Sequence, residues 1–185
     1  GRSNIINKLK KLNIKIDSRD KRVGSFLETI KQQEFLGYAY DGAEASFELL
    51  AKRKFSKFKE FYSLESFKVS DEKQKNARDE FVPSSEARVK IFVGEREFFS
   101  AAEGNGPIHA LDLALRNALS KFFPRIKKLN LIDYKVRILT PQDGTKALVR
   151  VRIESKNERL KWSTIGVSYN VIDASYIALH DSITY

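Results

Sequence analysis

Leu64-Glu65-Ser66-Phe67-Lys68-Val69 and, at an offset of 67 positions, Leu131-Ile132-Asp133-Tyr134-Lys135-Val136 are two copies of one pattern. Each alternates at period two, as a half-buried strand does. The match continues outward from both copies. Ala87 to Val93 reads as a second strand, whose stretch Arg88 to Phe92 returns as Val149 to Ile153, and Arg96 to Ala102 returns as Lys161 to Val167. Gly94-Glu95 reads as a tight turn between the second and third strands of the first copy. Gly104-Asn105-Gly106-Pro107 then opens a helix to about Phe123, with proline at the first helical position, where no intrahelical N–H bond is lost. Asn170 opens the corresponding last helix, with Asp173 three residues on. Ile108, Ala110, Ala114 and Leu115 recur as Ile172, Ala174, Ala178 and Leu179. The chain thus spells two β-β-β-α units, 61–123 and 129–185, in an α+β fold with pseudo-twofold symmetry. A three-stranded sheet with one helix covers one face, which predicts pairing and dimerisation through the open faces.

Residues 1–58 read differently, as a helical linker subdomain ahead of a second domain over 59–185. Ile5, Ile6, Leu9 and Leu12 have helical spacing, as do Val23, Phe26, Leu27 and Ile30 behind Asp17, with Asp20 as its capping-box partner and Gly37 as a stop. Asp41 and Glu44 frame a second capping box, for a helix from Gly42 to about Phe55. The polar stretch from Asp71 to Glu80 reads as a loop or hairpin excursion.

Composition narrows the function. The 185 residues are 42% hydrophobic and 31% charged, which suits a self-stabilising globular core, and contain no cysteine, so no disulfide or thiolate metal site. No apolar run reaches the roughly 18–20 residues that span a bilayer. Gly1-Arg2-Ser3-Asn4 has no signal-peptide character, and the chain has no methionine, which suggests an excised or processed piece with a cytoplasmic location. The net charge of +10 raises a polyanion partner, but the excess is spread through the chain with acidic residues interleaved. A basic nucleic-acid module would need exposed aromatics among the cations; Phe67, Phe92 and Tyr134 are the candidates.

No catalytic constellation emerges. His109 and His180 stand alone on helices without a second histidine at metal spacing. The glycines of 104–106 lack P-loop spacing; they serve a tight strand-to-helix turn, or let N–H groups at a helix N-terminus face a carboxylate. Glu95 and Glu97 read as solvated turn residues.

Ala101-Ala-Glu-Gly-Asn-Gly-Pro107 followed by Ala110-Leu-Asp112 resembles the signature of the regulatory domain of α-isopropylmalate and citramalate synthases. So do Leu131 to Ile138 with Gly144-Thr145, and Trp162 to Ser168 with Asp181-Ser-Ile183. The segment from Gly37 to Leu50 is more similar to the citramalate branch, and Gly1 to Asn4 resembles the segment after the catalytic barrel. The resemblance implies a homodimeric transferase of branched-chain amino acid biosynthesis. Its N-terminal barrel condenses acetyl-CoA with a 2-oxo acid, pyruvate for citramalate synthase, converting the acyl group to an alkyl group on transfer. That barrel holds a divalent metal, and this chain, lacking it, carries no catalytic residue and no cofactor. The regulatory domain is implied to bind the end product for feedback inhibition: isoleucine in the citramalate branch, leucine in the isopropylmalate branch. The same region of an isopropylmalate or homocitrate synthase remains the alternative. By the same resemblance Leu131, Tyr134, Ile138, Thr145 and Val149 line the effector pocket. Gly106, Ile108 and His109 lie near the effector's polar end, and Tyr169 and Val171 add to it. His109 departs from the Asn or Asp expected there, and an imidazolium would repel the effector's ammonium.

Overall fold

The computed structural model describes residues 1–185. Three helices come first: α1 (Arg2–Lys11), α2 (Lys21–Phe35) and α3 (Glu44–Phe55). Strands β1 (Ser63–Lys75), β2 (Phe81–Val93) and β3 (Arg96–Gly104) and helix α4 (Pro107–Leu119) follow. Strands β4 (Asn130–Ile138), β5 (Val149–Lys156) and β6 (Lys161–Ser168) and helix α5 (Val171–Thr184) close the chain. The two sheets run β1-β2-β3 and β4-β5-β6, each antiparallel, so the α+β fold with two β-β-β-α repeats is as the sequence predicts.

The chain packs as two compact units, one continuous over Glu60–Leu129 and one discontinuous, Gly1–Lys59 with Asn130–Tyr185. In the continuous unit, β2 turns Ser85, Ala87, Val89 and Ile91 inward, and α4 covers them with Ala110, Leu111, Ala114, Leu115 and Leu119. Gly104 lets α4 come close, since a Cβ there would stand 2.5 Å from the Ala110 nitrogen. The opposite face carries Lys68, Arg88, Phe99 and Ala101, all exposed.

The second sheet has the same plan on its α5 side. The indole Nε1 of Trp162 donates to the Ser182 carbonyl at 3.1 Å and the Thr164 hydroxyl to Ala178 at 2.7 Å. A Cβ on Gly166 would fall 2.0 Å from the Ala174 oxygen. Its other face is covered too, by α1–α3. Ile165 joins Leu9, Phe26, Ile30, Phe47 and Ala51 in one core, and every residue from Trp162 to Val167 is buried. Ser46 of α3 accepts from the Ile165 N–H at 3.0 Å and donates to the Asp181 carboxylate at 2.8 Å, which also takes Arg53 at 3.1 Å. Burial pushes the Asp181 carboxyl above its ordinary range, and the Arg53 charge pulls it back.

Both first strands bulge at the same place. Pairing slips between Leu64 and Ser66, and again between Leu131 and Asp133, at an offset of 67 positions. The extra residue puts Leu64 and Phe67, and likewise Leu131 and Tyr134, on one face.

Several boundaries differ from the sequence reading. Asp17 does not open α2: its carboxylate closes a turn at the Arg19 N–H, and Asp20 is the N-cap, accepting from Arg22 N at 2.8 Å. Asp41 lies in a short 3-10 turn, and α3 begins at Glu44 with no side-chain cap. The stretch 71–80 is largely strand: β1 and β2 pair out to Lys75 and Phe81, so residues 71–84 project as an exposed two-stranded ribbon beyond the end of β3. Helix α4 stops at Leu119 rather than Phe123.

Candidate functional site

The residues expected to receive an effector fall into both units. Leu131, Tyr134, Ile138, Thr145, Val149, Tyr169 and Val171 belong to the discontinuous unit; Gly106, Ile108 and His109 belong to the continuous one.

In the discontinuous unit the bulge and the register gather most of the first group. Tyr134 pairs with Ile153 and Ile138 with Val149, and Val149 in turn pairs with Ser168. Odd-numbered residues of β5 face α5, so Leu131, Tyr134, Val136, Ile138 and Val149 share that face. Ser175 donates to the Val171 carbonyl at 2.6 Å, so the Tyr134 hydroxyl donates to Ser175 at 2.8 Å and the ring is anchored beneath α5. Beyond the ring the face opens, with Ile138 55%, Val136 45%, Tyr169 71% and Val171 39% exposed. The structure therefore brings an apolar, accessible strip together at the amino end of α5. Thr145 lies in the exposed turn Pro141–Lys146 that joins β4 to β5.

The first repeat holds a different surface at the equivalent place. Asp71 stands where Ile138 stands and Ser85 where Val149 stands, and Ser85 donates to Asp71 at 2.6 Å. That end of the first sheet is polar and internally satisfied.

The helix starts differ in the complementary sense. Asn170 caps α5, its Oδ1 accepting from Ile172 N at 2.8 Å and Asp173 N at 3.3 Å. Gly106 caps α4 without a side-chain acceptor, and the space a Cβ would occupy there is open. The first N–H groups of α4 thus meet the positive end of the helix dipole with no side-chain anion in place. His109 folds back so that Nδ1 accepts the Asn105 N–H at 3.0 Å.

Phe67 and Tyr134 lie on the helix-covered faces of their sheets, which corrects their casting as an exposed base-stacking platform. Glu97 belongs to β3 and pairs with Lys90 at 3.7 Å, rather than to a turn. No group of three or more His, Asp or Glu stands in metal-holding geometry. No helix is long and apolar enough to cross a membrane.

Residues 41–185 match the LeuA allosteric (dimerisation) domain, and the chain belongs to that family. It is 50% identical over 185 residues to the (R)-citramalate synthase of Geobacter sulfurreducens and 49% identical over 185 residues to that of Aquifex aeolicus. In each case the whole chain is covered and 34% of the relative. The 2-isopropylmalate synthase of Pseudoalteromonas atlantica is more distant, 29% identical over 77% of the chain and 28% of the relative. The chain thus spans about a third of the length of the citramalate synthases it matches.

Proposed function

We propose that this chain is the C-terminal allosteric and dimerisation region of a citramalate synthase, and that it binds isoleucine to inhibit condensation of acetyl-CoA with pyruvate in a separate catalytic barrel. The barrel supplies the divalent metal and all catalytic groups. The full-coverage likeness to (R)-citramalate synthases, against the partial likeness to a 2-isopropylmalate synthase, carries the choice of branch. The apolar strip supports a branched aliphatic ligand. We assign the effector's side chain within the discontinuous unit. It goes to Tyr134, Ile138 and Val149, flanked by Leu131, Tyr169 and Val171. In the other unit, the N–H groups of Ile108 and His109 beyond Gly106 form a helix N-terminus of the kind that favours a carboxylate.

Titration calorimetry on the full chain tests the reading. Isoleucine binds, and leucine binds about tenfold more weakly, since a misplaced methyl costs about 1–3 kcal/mol. Ile138→Ser weakens isoleucine about tenfold, because the lost apolar contact is worth about 1–2 kcal/mol. Tyr134→Phe stays within about twofold, as that hydroxyl is already given to Ser175. Leucine binding tighter than isoleucine would move the chain to the isopropylmalate branch. Unchanged affinity in Ile138→Ser would remove the strip from the site.

A further inference from the structure

Strand β5 has two working faces. Val149 and Val151 point toward the α5 side, whereas Arg150 and Arg152 point toward the turn that joins α2 to α3. The Arg150 guanidinium donates from Nε to the Gly37 carbonyl at 2.7 Å. Arg152 donates from Nε to the Gly42 carbonyl at 2.7 Å and from Nη2 to the Ser163 hydroxyl at 3.2 Å. Two arginines on one strand thus hold both ends of the segment 37–42. Between those ends Tyr38 and Tyr40 stack at 5.8 Å, and Tyr38 bonds the Val167 backbone.

The same end of the sheet touches the turn a second way. Gly37 has φ 107°, open to glycine, and a Cβ there would lie 2.4 Å from Leu139 Cδ1, with Val167 and Leu148 also against it. Leu139 follows Ile138 directly, Leu148 precedes Val149 directly, and the Leu139 N–H donates to the Leu148 carbonyl at 2.8 Å. The residues beside the exposed strip are therefore the ones that seat Gly37.

The first repeat supplies a control. Glu86 and Arg88 occupy the positions of Arg150 and Arg152, and they pair with each other at 2.7 Å instead of reaching a backbone carbonyl. Arginines at Arg150 and Arg152 have no such partner on their own strand. Arg150 is moreover partly desolvated and faces Arg137 across the ladder, an adverse place for a cation without a strong acceptor.

We propose that β5 is the strand through which effector occupancy reaches the helical segment: Arg150 and Arg152 are positioning residues that clamp the Gly37–Gly42 turn, and a branched amino acid seated at Ile138 and Val149 tightens that clamp. The inference rests on the effector reading above and names the route of its regulation.

Hydrogen exchange of the amides in 37–43, read by mass spectrometry on the full chain with and without saturating isoleucine, tests it. The parent shows several-fold slower exchange in this segment when isoleucine is bound. The Arg150→Gln/Arg152→Gln pair shows about tenfold faster exchange there without ligand, the size expected for lost charge-assisted bonds. The isoleucine-induced slowing disappears in that variant, while the calorimetric affinity stays within about threefold. Should the pair not fold, Arg150→Gln alone carries the same comparison. Isoleucine binding with no change at 37–43 in the parent overturns the proposal, as does slowing that persists in the variant. If neither isoleucine nor leucine gives heat, the effector reading fails and the coupling fails with it, a pattern distinct from binding without coupling.

Discussion

The two β-β-β-α repeats share strand order, bulge and helix placement, yet one sheet is covered on both faces and the other on one within its own unit. The third strands show why. β6 reads Trp162-Ser-Thr-Ile-Gly-Val167 and is buried throughout, with Ile165 in the core of α1–α3 and Gly166 under α5. β3 reads Arg96-Glu-Phe-Phe-Ser-Ala101 and alternates between half-buried and exposed positions. A duplicated plan can therefore diverge by which face of one strand loses its polar residues. Topology is set by the shared turns and alternation, whereas local surface chemistry is set by the few positions where the copies disagree: Ile138 against Asp71, Asn170 against Gly106, Arg150 against Glu86.

The comparison can be broken most severely at Gly166. Its equivalent in the first repeat is Ala102, which tolerates a Cβ, whereas Gly166 has none to spare. Gly166→Val should destabilise the chain by about 3 kcal/mol or more by forcing α5 off the sheet, and Ala102→Gly by only about 1 kcal/mol. Urea unfolding of both variants checks this, and equal losses would mean the two sheets are packed alike. Next in size is the doubly covered face itself. Ile165→Ala should cost about 2–4 kcal/mol, since Ile165 is 1% exposed, and Phe99→Ala on the open face of the first sheet about 0.5 kcal/mol. A loss above about 2 kcal/mol for Phe99→Ala would show that its face is covered in solution, as a dimer would cover it.

The helix starts sharpen the comparison at smaller scale. Asn170→Ala should cost about 1 kcal/mol, because two N–H groups of α5 lose their acceptor, whereas Gly106→Ala, which removes no side-chain acceptor, should cost less. Gly106 has extended backbone at φ −173°, and open space around it, so its alanine variant tests the free helix start without strain. Asp181 gives the smallest effect and a sign. Its carboxyl is raised in the fold, so the folded state binds the proton more tightly than the unfolded chain. Its contribution is full below about pH 4 and is lost as pH rises through the folded value. Asp181→Asn cannot ionise, so relative to the parent it should gain about 1 kcal/mol or less between pH 4 and pH 7 in unfolding titrations. A variant that loses ground over that range would mean that Arg53 outweighs burial.

Much of this architecture can be read from residues alone, because apolar alternation and glycine turns report backbone period directly. The repeat, the Gly94 turn, with φ 61°, and the cap at Asn170 all belong to that class. What escaped depends on partners far along the chain. The ribbon over 71–84 has no apolar alternation because both of its faces meet water, so its strands carry no periodic signal. The bulges change facing by one residue and leave no composition mark. The docking of α1–α3 on the second sheet had a readable sign, since a strand with no polar face, such as Trp162 to Val167, is a strand buried on both sides. Arg150 and Arg152 occupy the polar positions of an alternating strand, and only the carbonyls of Gly37 and Gly42 reveal what they hold. For the candidate site, the family resemblance pointed to Tyr134 and Ile138, and the structure adds that the hydroxyl of Tyr134 is already engaged.

The discontinuity of one unit bears on how the chain is made. Residues 60–129 form a contiguous unit and can close as soon as they leave the ribosome. Residues 1–59 emerge before them but pack against a strand that begins at Lys161. At the usual 5–20 residues per second, Phe26 and Phe47 wait on the order of ten seconds for Ile165 to be synthesised. For that interval the nascent helices must shelter these rings against one another or on a chaperone, which makes the helical segment the stretch whose apolar faces are longest at risk during translation.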